Sequence, residues 1–282
     1  MSGASLADGG QRSRSQAAPA TWLLTLRARR QPSSASLHAS WDIHMSRGLP
    51  AARLPHANRI RTFRDQLLGW YRENGRNLPW RNRSATRYEL ILAEVLLQRT
   101  RAETVASFFG RFVRAFPSWR RLSGASEEDL QGFLQPIGLW RRRTASLQRL
   151  AGEMASRRGQ FPSDRGAVES LPGIGQYIAN AVLLFCHGQP QPLLDVNMAR
   201  VLERHFGQRK LADIRYDPYL QRLASKVVFC EDPVSINWAV IDLAALVCTQ
   251  RSPKCSTCPL VRGCREAGGL PTLNSGGPGA AG

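Results

Sequence analysis

The sequence predicts an all-α protein, and three observations carry the prediction. From Ile60 onward, apolar residues recur at helical spacing in one segment after another. No stretch alternates apolar and polar residues over the length of a strand. The connections are short and marked by Gly and Pro, and no repeat of fixed period appears. A chain of 282 residues is long enough to bury a full core and to divide it between two lobes.

The elements follow in order. FRDQLLGWYREN sets Phe63, Leu67, Leu68 and Tyr71 on one helical face, and Gly75 and Pro79 end that helix. Tyr88–Thr104 reads as one strongly apolar helix, and Phe108–Phe116 as the next, stopped by Pro117. Ser126–Leu134 carries Glu127, Glu128 and Asp129 in its first turn, where the helix dipole favours acids. Trp140–Arg157 is basic, with Arg141, Arg142, Arg143 and Arg149. Asp164–Leu171 is a short helix, and Gln176–Cys186 follows it across LPGIG. Val196–Phe206, Tyr219–Val228 and Ile236–Cys248 complete the set.

Composition bounds the partner. Lys and Arg number 39 against 21 Asp and Glu, a formal charge of +18, so a polyanion is the first candidate. No apolar run approaches the roughly 20 residues that span a bilayer, and no membrane role is expected. Residues 1–57 are rich in Ser, Ala and Arg, with Asp8 and Asp42 their only acids. They read as a disordered basic arm or as translated sequence ahead of a start at Met45, with an organelle transit peptide as the minority reading. The Gly-rich stretch 267–282 reads as a flexible tail.

Two motifs carry chemistry. In LPGIGQYIAN, residues 171–180, a tight turn feeds a helix N-terminus. Such a turn presents free backbone N–H groups and suits a phosphate, with Gly173, Gly175 and Gln176 as the contact residues. In CTQRSPKCSTCPLVRGC, four of the six cysteines fall within seventeen residues as C-x6-C-x2-C-x5-C: Cys248, Cys255, Cys258 and Cys264. Nothing else marks a disulfide-stapled secreted protein. Only Cys255 and Cys258 form the close pair usual for zinc, and the uneven spacing suits a [4Fe–4S] cluster better. Cys186 and Cys230 lie outside the pattern and read as buried structural thiols.

The hairpin, an aspartate about twenty residues beyond it, and this cysteine spacing together resemble the helix–hairpin–helix DNA glycosylases of the endonuclease III and MutY superfamily. The resemblance runs from about Phe63 to Cys264. It implies two helical lobes with DNA and the active site between them. A six-helix barrel ending in the hairpin would span 83–191. A lobe carrying the [4Fe–4S] cluster would join 58–82 to 192–266, with the cluster supporting a DNA-binding loop near Arg251, Lys254 and Arg262. The resemblance also implies a monomer acting on double-stranded DNA that contains a mismatched or damaged base. The expected location is the bacterial cytoplasm, at the nucleoid.

Each site residue has a bland reading beside the functional one. Asp195 begins a helix and is a good N-cap, and it matches the family's catalytic aspartate, whose carboxylate stabilises positive charge on the sugar. Glu94 lies in the apolar run LILAEVLLQRT, where it either faces solvent or is buried with a raised pKa. It matches the MutY glutamate that protonates the leaving base or positions water. Tyr177 reads either as an aromatic packed against the hairpin or as a site residue, at the position of a lysine in bifunctional members and a serine in MutY proteins. Tyrosine resembles the MutY-like thymine glycosylases, and it forms no imine, so it implies a monofunctional enzyme. Gln98 and Arg99 close the Glu94 helix and read either as plain surface residues or, one of the two, as the polar wedge with which the family fills the gap left by a flipped base.

The resulting expectation is a monofunctional glycosylase that removes thymine or uracil opposite guanine in base excision repair. Only a short tail follows Cys264, where most MutY proteins carry a domain that reads 8-oxoguanine. The alternative is an adenine-DNA glycosylase lacking that domain, supported by Glu94 and the Pro79–Trp80 pair. The third reading is a non-catalytic DNA-binding iron–sulfur protein.

Overall fold

The computed structural model describes residues 53–269. The expectations for residues 1–52 and 270–282 therefore lie outside the described residues. Within them the fold is all-helical and no strand is present. No helix is long and apolar enough to cross a membrane among the described residues.

The helices are α1 (Ala57–Asn74), α2 (Arg87–Leu97), α3 (Ala102–Ala115), α4 (Trp119–Ser123), α5 (Glu127–Leu134) and α6 (Trp140–Ser156). They continue as α7 (Arg165–Glu169), α8 (Gln176–His187), α9 (Val196–Phe206), α10 (Pro218–Val228) and α11 (Pro233–Leu246). Side-chain caps explain most of the starts. Ser126, Asp164, Asp195, Asp217 and Asp232 each accept a first-turn backbone N–H, and Thr86 with Glu89 forms a reciprocal capping box.

One helix expected from the sequence is corrected. Tyr88–Thr104 is not continuous, because the chain breaks after Leu97 and restarts at Ala102. Arg99 takes a left-handed φ of 57°, which an α-helix does not accommodate, and the apolar pattern runs on across the turn. The short helix α4 went unread because five residues give too little periodicity.

Two cores result. The first packs α2–α8 around Leu92, Phe112, Leu150 and Ala181, and also takes in Leu78, Trp80, Leu193 and Trp238. The second gathers α1, α9, α10 and α11 around Phe63, Leu202, Leu223 and Val240. The chain passes from one core to the other between Leu193 and Leu194. Asp195 follows at once, so the crossing point delivers the candidate catalytic carboxylate.

Candidate active site

Glu94 is buried, at 5% exposure, on the helix that packs against both α3 and α8. The solvent-facing reading of LILAEVLLQRT is thereby set aside. α2 buries Ile91, Leu92, Ala93 and Leu96 as well, so it has almost no wet face at this level. The hydroxyl of Tyr177, one residue into α8, donates to Glu94 Oε2 at 3.0 Å. Burial pushes the Glu94 carboxyl up to about 7. The Tyr177 donor and the charge of Arg81 pull it down, and the charge of Asp195 pushes it up. Burial, with the charges of Glu94 and Asp195, raises the Tyr177 phenol well above its ordinary range, so it stays a donor.

Asp195 is half-buried and rigidly held. Its Oδ1 accepts the N–H groups of Asn197 and Met198 at 2.9 and 2.8 Å, and its Oδ2 accepts Asn197 Nδ2 at 2.7 Å. It is therefore the N-cap of α9 and a fixed carboxylate at once. Arg200 ties this cap to the cysteine region, because its Nη2 donates to Asn197 Oδ1 at 3.2 Å and its Nε to Cys248 O at 2.9 Å.

A second charged group was missed in the sequence. Asp242, fully buried on α11, accepts Arg76 N, Arg76 Nε and Arg81 Nη1, each at 2.8 Å. The Arg81 guanidinium also lies 5.0 Å from the Trp238 ring centre, and its buried Nε has no partner. The signal was present: Asp242 stands in an apolar run as Glu94 does, and Arg81 follows the Pro79–Trp80 pair.

The hairpin has the expected form. Gly173 is left-handed at φ 74°, and a Cβ there would stand 2.6 Å from Ser146 Oγ of α6. Gly175 differs: it caps α8 in an extended conformation, and a Cβ there would meet nothing within 4 Å. No side chain caps α8, which leaves first-turn N–H groups without an intrahelical acceptor. Gln176 is half-buried and reaches Gln221 Oε1 at 3.4 Å.

Gln98 and Arg99 are exposed in the turn after α2. Arg143 fastens that turn to the start of α6, donating to Gln98 O at 2.6 Å, Thr100 Oγ1 at 3.0 Å and Gly138 O at 3.0 Å. The same fastening sets Leu139 beside the turn, left-handed at φ 50° and 64% exposed. An exposed leucine in a strained backbone position is a functional candidate, and no periodicity in QPIGLW marks it.

The four motif cysteines are half-buried free thiols. Burial first, then the neighbouring thiols, pushes Cys258 up to about 11 and raises Cys255. Cys258 is affected by the charge of all three of the others. Arg204 Nη1 approaches Cys248 Sγ at 3.5 Å, and Cys264 Sγ faces Arg204 O at 3.3 Å. No three His, Cys, Asp or Glu residues among those described are arranged to hold a metal ion. Arg251, Lys254 and Arg262 are exposed on the same loops. Cys186 is buried and Cys230 half-buried.

Comparisons with known proteins bear on this geometry. A family profile described as HhH-GPD superfamily base excision DNA repair protein matches residues 92–231. The chain is 41% identical over 203 residues to a thymine/uracil-DNA glycosylase of Pyrobaculum aerophilum, covering 70% of this chain and 88% of that protein. It is 36% identical over 208 residues to a thymine-DNA glycosylase of Aeropyrum pernix, covering 72% and 92%. The fold superposes on the structure of a thermostable thymine-DNA glycosylase with a TM-score of 0.69 and 26% identity, over 75% of this chain and 97% of that one.

Proposed function

Because this chain belongs to the HhH-GPD superfamily of base excision DNA repair proteins and is a DNA glycosylase, we propose that it removes thymine or uracil opposite guanine and leaves the abasic strand uncut. The observation that carries the reading is the hydrogen bond from Tyr177 to Glu94. It puts a phenol, which cannot form an imine, against a buried carboxyl that keeps its proton near neutral pH. Relatives at 41% and 36% identity that act on thymine or uracil support the substrate class.

The mechanism uses three groups. The flipped nucleotide enters between Glu94 and Asp195. As the N-glycosidic bond breaks, positive charge grows on the sugar, and the Asp195 carboxylate stabilises it. Glu94 Oε2 is taken by Tyr177, which leaves Oε1 to hold the proton that assists the departing base. Water then adds its hydroxyl to the sugar carbon, and its proton returns to the Glu94 carboxylate, which has given its own to the departing base. Gln98, Arg99 and Leu139 fill the gap in the stack, and the first-turn N–H groups after Gly175 hold a backbone phosphate.

Cys248, Cys255, Cys258 and Cys264 would hold a [4Fe–4S] cluster. What supports this is the donor chemistry: four free cysteine thiols at this spacing offer one sulfur ligand per iron. Bound there, the cluster would cross-link the loops that bear Arg251, Lys254 and Arg262 and so support a DNA-binding surface. The reading includes a monomer acting on mismatched duplex DNA in the bacterial cytoplasm.

The test is a single-turnover assay on end-labelled duplexes containing T·G, U·G, A·G or A·8-oxoguanine, each read with and without alkali. Cleavage of T·G and U·G only after alkali, lost in Asp195→Asn with duplex binding retained, is the expected result. Cleavage confined to adenine duplexes would replace the substrate class. Strand breaks without alkali would overturn the monofunctional reading.

A further inference from the structure

The segment between α8 and α9 has no regular secondary structure, yet it carries Asp195 across the boundary between the two cores. Its backbone groups are held by two buried asparagines, one from each lobe. Asn180, on α8 and 3% exposed, donates Nδ2 to Pro192 O at 2.7 Å. Its Oδ1 accepts Arg165 Nη2 at 2.7 Å, and the same nitrogen reaches Gln191 Oε1 at 3.0 Å. Asn237, on α11 and fully buried, accepts Leu193 N on Oδ1 at 2.7 Å. Its Nδ2 donates to Gln191 O at 3.0 Å and to Pro233 O at 2.7 Å. Three consecutive residues are thus gripped from both sides, two positions before the carboxylate.

The placement on the helices matters as much as the bonds. Asn180 lies one turn after Tyr177 on α8, so one helix positions both the partner of Glu94 and one half of the grip. Asn237 shares α11 with Asp242, which holds Arg81 within electrostatic reach of Glu94. A buried amide of this kind is costly unless every polar atom is paired, and these bonds use both polar atoms of each side chain. A purely structural link between lobes needs only apolar contact, which Leu193 and Leu194 already make.

We infer that Asn180 and Asn237 form an amide clamp that sets Asp195 against the reacting sugar carbon, and that both are positioning residues for base release. The inference rests on the glycosylase reading with Asp195 at the reaction centre. Asn237→Asp keeps the acceptor for Leu193 N but turns a carboxylate oxygen toward the carbonyls of Gln191 and Pro233. Asn180→Ala releases Pro192 O and leaves Asn237 in place.

Both variants would be measured in single turnover on a T·G duplex at saturating enzyme, with duplex affinity read separately on an uncleavable analogue. A displacement of about 1 Å at a reacting group costs on the order of 100-fold in rate, so a fall of about 10- to 100-fold is expected. Affinity should stay within about twofold, because no phosphate-facing group is touched. The pH at which the rate declines should move little, because Glu94 keeps its burial, its Tyr177 donor and Arg81, and Asp195 is the smallest of the influences on it. Amide exchange at Leu193 should quicken in Asn180→Ala, a readout that needs no substrate. Rates near wild type in the folded variants, parallel loss of rate and affinity, or unchanged exchange at Leu193 would each overturn the clamp. Silence of the wild-type protein on every duplex would instead refute the glycosylase reading, while the exchange measurement would still report on the clamp.

Discussion

Replacing Glu94 with glutamine should stabilise the protein in alkali and barely at all in acid. Glu94 rises from its ordinary 4.5 to about 7 because it is buried. At about 1.4 kcal/mol per unit, ionising it in the folded state costs about 3 kcal/mol. The sign follows from proton counting. Below pH 4.5 both states hold the proton and no penalty exists. Between 4.5 and 7 the unfolded chain ionises while the folded one stays protonated, so stability falls as pH rises. Above 7 the folded state ionises too, and the full penalty persists. Glutamine never ionises, and its carbonyl still accepts the Tyr177 hydroxyl. Urea midpoints of Glu94→Gln and wild type should therefore differ by about 1.5 kcal/mol at pH 5.5 and about 3 kcal/mol at pH 8.5. A difference independent of pH would mean that Glu94 is not a buried, protonated acid. The same proton governs catalysis, so the wild-type single-turnover rate should fall above about pH 7, and glutamine should lose the rate with no pH limb left.

Three further outcomes are expected. Tyr177→Phe removes a hydrogen bond that lowers the Glu94 pKa, so the alkaline limb of the pH–rate profile should move up, and a downward move would contradict the assignment. The two hairpin glycines should separate: Gly173→Ala, strained at φ 74° and crowded by Ser146, should lower stability by about 1–3 kcal/mol in thermal melts. Gly175→Ala meets no neighbour, so it should fold normally yet weaken duplex binding, and unchanged affinity would remove the phosphate from the hairpin. Asp242→Asn strands Arg81 in a buried site and leaves Arg76 only its outer partner Glu103, and should cost about 3–5 kcal/mol in urea unfolding, against no loss if the pair were solvated.

Residues whose chemistry is local were legible in the sequence. Val196–Phe206 emerges with the expected bounds because Asp195 caps it and Gly207 ends it, both within one turn of the apolar pattern. The break after Leu97 was not legible, since the hydrophobic period continues through it and the tie that fixes it, Arg143 to Gln98 O, joins residues 45 apart. Glu94 shows both sides of this. An acid in an apolar run poses the question of burial, but the answer depends on α3 and α8 closing over it, which no periodicity encodes.

The same reasoning explains why Asn180 and Asn237 read as ordinary helix residues. Each lies in an apolar helix and serves a segment far along the chain or across the lobe boundary, with Asn237 and Leu193 separated by 44 residues. A buried polar side chain in such a helix must find partners, because an unpaired amide costs about 1–3 kcal/mol. Where the partners are backbone groups of an irregular segment, the side chain replaces the ladder that secondary structure would have supplied. The segment before Asp195 has no such ladder, and it can have none, since a helix or strand there would carry the chain past the boundary where the two lobes meet. Two amides from opposite lobes are a solution that fixes the segment without extending either lobe. It also ties the position of the carboxylate to the relative position of the helices that carry Tyr177 and Asp242.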